Sequence, residues 1–218
     1  MASPGEEGRV GVIETSAFYK QYTGLSHPPQ TTEEWLRLPE QGAAVCTNGE
    51  VFRDPLQQFS NWRKALMTFY PEDIRRLKIA SKCMTIAQSG QYNFKRSLLR
   101  EEWVAARYFE TQFCAEIISL VFLLNRRFRP FYKWAHRALQ ELPILGKAIA
   151  AEMEELVRSM EEPFKVEMIE TISRQIVAEL YHQELSDSPS DFLLDHGSVV
   201  HQGITSGSLR GEYPFTRI

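Results

Sequence analysis

The chain has 218 residues, 43% hydrophobic and 24% charged, with a formal net charge of −3. That balance is typical of a folded domain with a core and excludes a disordered tail. It also excludes a global basic field that would draw the chain onto nucleic acid or an anionic membrane, so binding of that kind needs a local patch.

Met1–Gly8 is polar and acidic, which is no signal peptide, and residues 1–10 read as a frayed lead-in. A short helix is expected over Ser16–Tyr22, ended by Gly24. Pro28-Pro29 makes a loop, and Thr31 or Thr32 caps a second helix through Glu33-Glu34-Trp35-Leu36. Asn48-Gly49 signals a turn, and Val51-Phe52 reads as a short strand or extended piece. From Leu56 the pattern is helical. One helix covers Leu56–Phe69, and another follows Pro71 as far as Gln88, where Gly90 stops it. The longest helix runs from Lys95 to Arg127. Its stripe is Leu99, Trp103, Ala106, Glu110, Phe113, Ile117, Leu120 and Leu124, the spacing of a bundle former. Helices over Phe131–Leu142, Ile144–Met160, Val166–Glu184 and Asp191–Gln202 complete the chain, and Gly203–Ile218 reads as a loosely attached tail.

The expected fold is therefore all-α: an antiparallel up-and-down bundle with short N-terminal helices and little or no strand. Three parts are expected. Residues 1–54 form a lead-in packed on the bundle, 55–202 the bundle and 203–218 the tail. Cys46, Cys83 and Cys114 are odd in number and scattered, which argues against disulfides and thiolate zinc and favours a reducing, cytoplasmic compartment. The most apolar run, Ile117–Leu124, is far shorter than the roughly 20 residues that span a bilayer.

No phosphate-binding loop, dinucleotide fingerprint, nucleophile elbow or H-E-x-x-H occurs. The five histidines make no i,i+3 or i,i+4 pair, so no metal site is expected, and His196 and His201 read as solvent-exposed. Two basic clusters stand out. Arg126, Arg127, Arg129, Lys133 and Arg137 interleave with Phe131, Tyr132 and Trp134 beside His136, where guanidinium groups could hold phosphate and rings could stack. Equally, the rings could be core and the charges solvated. Lys95, Arg96, Arg100 and Arg107 form the second cluster; Arg96, Arg100 and Arg107 lie on one flank of the long helix, read as a solvated face paired with Glu101 and Glu110. Glu110 interrupts that helix's apolar stripe, so it must be paired, protonated or beside a cavity. Arg129 and His136 also resemble, at the long end of its spacing, the dyad of HEPN-type helical ribonucleases.

Several blocks resemble the domain of unknown function 4037 family: Arg9-Val10-Gly11-Val12, Glu33-Glu34-Trp35-Leu36, Asn48-Gly49-Glu50-Val51-Phe52, Tyr70-Pro71-Glu72-Asp73, Gln91-Tyr92-Asn93, Pro130-Phe131-Tyr132-Lys133-Trp134-Ala135-His136 and Asp191-Phe192-Leu193-Leu194-Asp195-His196. Such proteins are similar to two-part nucleotidyltransferases, in which a polymerase β-type core precedes a bundle like the C-terminal half of kanamycin nucleotidyltransferase. The resemblance implies that this chain is the helical, substrate-binding portion, not catalytically autonomous, and that the core lies N-terminal to Arg9. Mg²⁺ and a nucleoside triphosphate would bind only with that core, and no cofactor is expected here. The expected substrate wall is Tyr92, Arg96, Arg126, Arg127, Lys133, Trp134 and His136, with Glu110 the best catalytic carboxylate. Candidate partners are a nucleotidyltransferase core, as domain or separate chain, and a second copy of this chain. No membrane is called for, and nucleic acid stays open. The alternatives are a protein-interaction or dimerisation module without catalysis, and a HEPN-like ribonuclease.

Overall fold

The computed structural model describes residues 11–211, so the expected lead-in over 1–10 and the end of the tail, 212–218, lie outside the described residues. The fold is all-α: among the described residues there is no strand, and Val51-Phe52 lies in irregular chain. No helix is long and apolar enough to cross a membrane. The chain divides into two compact units, with the boundary between Phe69 and Tyr70.

The first unit holds α1 (Thr15–Thr23), α2 (Thr32–Arg37), α3 (Glu40–Thr47) and α4 (Gln58–Met67). Thr31 caps α2 in a reciprocal capping box with Glu34. Tyr19 is fully buried, stacks on Trp62 with ring centroids 4.4 Å apart and donates to the Phe59 carbonyl at 2.8 Å. Arg63 donates to the Cys46, Asn48 and Gly49 carbonyls, closing the open end of α3. These contacts explain why α4 belongs to this unit. Its aromatic face is spent on α1, and its arginine on α3.

The second unit is the bundle: α5 (Glu72–Ile86), a π-helical stretch (Ala87–Phe94), α6 (Lys95–Leu99), α7 (Trp103–Leu124), α8 (Tyr132–Leu139), α9 (Gly146–Arg158), α10 (Glu162–His182), α11 (Leu193–Gln202) and α12 (Gly207–Arg210). Gly90 does not stop α5. The helix passes through it in π form, because a Cβ at Gly90 would lie 2.3 Å from the buried Phe113 ring. The glycine serves a close approach, not a turn. The expected 95–127 helix is instead broken at Arg100–Glu102. There Glu101 takes φ +58°, and Glu102 N–H returns to the Ser97 carbonyl. Neither glycine nor proline marks that break.

α5 runs antiparallel to α7. Glu72 meets Arg126 at the end of α7, and Lys82 meets Glu116 at its middle, each at 2.7 Å. Arg75 is 2% exposed; it pairs with Glu72 and reaches the Leu123 carbonyl, satisfying the last turn of α7. α11 lies close on α5 because Gly197 has no side chain to meet the Ala80 carbonyl. Gln91 ties the π stretch to Glu170 of α10 and to the Asp191 and Leu193 backbone.

His196 is fully buried rather than exposed. Its Nε2 lies 2.6 Å from the Ser190 carbonyl and must donate there, leaving Nδ1 to accept from Ser186 at 2.9 Å. Both nitrogens are thus spent on bracing the 186–190 loop. The chain after Gly203 is also anchored as far as it is described. Ile204 and Leu209 are buried, and Asp73 accepts from Thr205 N–H, its hydroxyl and Ser206 N–H.

Candidate functional site

The end of α9 with the residues just after it, the first turn of α10 and the N-terminal part of α7 border an open pocket of ≈ 480 Å³. It is lined by Arg107, Glu110, Thr111, Cys114, Val157, Ser159, Met160 and Lys165. Positions 107, 110, 111 and 114 fall on one side of α7 by the helical period, and Trp103 continues that side toward the helix start.

Glu110 is 6% exposed and Lys165 2% exposed. Lys165 donates to Glu110 Oε1 at 2.5 Å, and Arg107 donates to Oε2 at 2.6 Å. The second Arg107 nitrogen donates to Glu162 at 2.7 Å, while the other Glu162 oxygen is buried with no hydrogen-bond partner. The hydrogen bond to Glu110, with Glu162 behind it, pushes the Arg107 guanidinium further above its ordinary value. The four side chains carry two charges of each sign, so the site is polar but balanced. Both Glu110 oxygens are engaged by cations. The carboxylate is placed to orient its partners. Burial pushes the Cys114 thiol up to about 12, with Glu110 adding to the effect. Among the described residues no cluster of three or more His, Cys, Asp or Glu could hold a metal ion.

The other expected site residues do not gather here. Tyr92 and Arg96 bond to each other one turn apart, on the part of the molecule that faces the first half of α7. Arg126, Arg127, Lys133, Trp134 and His136 lie at or beyond the far end of α7, which is 22 residues or about 33 Å long. One wall cannot contain both groups. Arg126 is spent on Glu72, and the His136 ring lies against the Ala150 carbonyl of α9 at 3.3 Å. The second basic cluster is also split, since the break at 100–102 separates Arg96 from Arg107. Sequence reasoning found Glu110 but missed Lys165, because nothing local in the sequence sets that lysine apart from a solvated one.

The fold and the site together define an all-α bundle with a charged, half-apolar pocket. Residues 35–135 match the family model described as "Domain of unknown function (DUF4037)", the family that the sequence motifs resemble. The matched stretch includes Arg107, Glu110 and Cys114, whereas Val157, Met160 and Lys165 lie beyond it. No curated protein and no solved structure gives a match.

Proposed function

We propose that the chain is the helical, substrate-binding portion of a nucleotidyltransferase-like protein, with the acceptor held in the pocket of Arg107, Glu110 and Lys165. The observation that carries this reading is a buried ion pair left facing an open pocket. Burying two charges is costly, and a hydrophobic filling of equal volume is often as stable or more so, so the pair is better explained by recognition than by stability. The pocket volume lies within the roughly 300–1,000 Å³ usual for small-molecule sites. Val157 and Met160 offer apolar contact, and Thr111 and Ser159 offer hydroxyls. Glu110 serves here as an orienting group. Mg²⁺ and nucleotide belong to a polymerase β-type core, supplied as a partner domain or chain.

The reading is tested by NMR titration of the pure chain with hydroxyl- and amine-bearing fragments. The expected result is amide shifts at Thr111, Ser159 and Lys165 that Thr111→Trp abolishes. Fragments that bind elsewhere and ignore Thr111→Trp overturn the pocket. Robust metal-dependent nucleotidyl transfer by the chain alone overturns the division of labour.

A second reading, a docking or dimerisation module, draws on Trp103, Val104 and Tyr108, each more than half exposed at the start of α7. A micromolar dimer in sedimentation, dispersed by Val104→Asp, would favour it.

A further inference from the structure

The basic aromatic segment takes no part in the pocket, and most of it lies open. Arg127, Phe131, Lys133, Trp134 and Arg137 are all exposed. Arg127, Lys133 and Arg137 have no carboxylate partner among the described residues. Lys133 sits over the Phe131 and Trp134 rings at 5.8 and 5.3 Å, and Arg137 over Trp134 at 5.5 Å. These are long cation–π contacts near the outer limit of about 6 Å, which a better partner can replace. By the helical period Lys133, Trp134 and Arg137 share one side of α8, and Arg127 precedes them on the connecting chain.

We infer that this face binds single-stranded nucleic acid. Three unneutralised cations supply phosphate contacts, and the half-exposed Trp134 and Phe131 supply stacking surfaces for bases. The cations are held at the rings, so a nucleotide meets charge and π-face together. The exposed large apolar residues between 126 and 140 are Phe131, Tyr132 and Trp134. With no exposed aliphatic side chain among them, the face suits bases better than lipid chains. The overall charge of −3 confines the attraction to this patch.

The test is fluorescence anisotropy of the full chain with a fluorescein-labelled uridine 12-mer. Parallel arms use inorganic polyphosphate and vesicles of phosphatidylserine and phosphatidylcholine. Binding of the 12-mer should weaken with salt at a logarithmic slope of about −2, the value for three phosphate contacts to a single strand. Trp134→Ala should weaken binding about tenfold and leave that slope unchanged, as loss of stacking predicts. The pair Lys133→Glu and Arg137→Glu should cost more than tenfold and flatten the slope. Arg127→Glu, outside any helix, should act in the same direction. Absence of 12-mer binding at 50 mM salt, taken as about the low end of the usual range, overturns the inference. So does polyphosphate binding that equals the 12-mer and ignores Trp134→Ala, or a preference for the vesicles. The pocket is untouched by these variants, so either proposal can fail alone.

Discussion

Lys165 donates to Glu110 at 2.5 Å although 55 residues separate the two, and neither is more than 8% exposed at its side chain. Arg107 reaches the same carboxylate from solvent. Removing one partner of such a pair leaves a charge with no water to turn to.

Lys165→Met should therefore destabilise the second unit by about 3 kcal/mol in urea unfolding, the low end for a broken buried pair because Arg107 remains. The double variant Lys165→Met with Glu110→Met should recover most of that loss. A double variant as unstable as the single one would show that the pair is itself stabilising.

Acid should loosen the anchoring of residues 203–211. Burial pushes Asp73 up, but the Thr205 and Ser206 groups outweigh it and hold the carboxyl below its ordinary value. Glu72 behaves alike, with Arg75 and Arg126 outweighing burial. A carboxyl held low in the folded state contributes stability above its unfolded value and loses it as pH falls through the folded one. The contribution is thus complete at neutral pH and fades below about pH 4. Asp73→Asn should lower the urea midpoint at pH 7, and the gap to the parent should narrow as the pH falls below about 4. Hydrogen exchange at Thr205 and Ser206 should quicken in the variant at neutral pH.

Gly90→Ala should destabilise despite the better helix propensity of alanine. Its Cβ would sit 2.3 Å from Phe113 Cδ2 and 3.0 Å from Ile169 Cγ2, in a region with no exposed surface to yield. Overpacking of this kind costs about 1–3 kcal/mol. Adding Phe113→Leu should return part of it, as read by thermal unfolding.

The three thiols should resist alkylation in the native state. Burial pushes Cys46 up to about 11, and Cys83 and Cys114 up to about 12, so little thiolate exists at pH 8. Iodoacetamide should label all three rapidly in urea and slowly without it, by mass spectrometry. Fast native labelling of Cys114 would show that Lys165 favours its thiolate more than burial opposes it.

The helical pattern was legible because apolar residues recur at three and four, and the same period made Glu110 conspicuous. What it could not reveal was reach. Lys165 and Glu110 meet only through the tertiary fold, and His196 is buried because Ser186 and Ser190 enclose it. The break at Glu101 has no local signal, since an acidic residue in left-handed backbone is tolerated only where surrounding contacts impose it. Gly90 misled in the opposite direction. A glycine chosen for close packing was indistinguishable from one chosen to end a helix. Likewise, the Gly- and Ser-rich stretch from Gly203 looked unanchored because its partner, Asp73, stands more than 130 residues away.

The clasp between Asp73 and Thr205–Ser206 carries an architectural consequence. The second unit begins at Tyr70, and its path returns to the same spot at Ser206. The first turn of α5 and the segment that follows α11 therefore brace each other, so neither frays while the clasp stays closed.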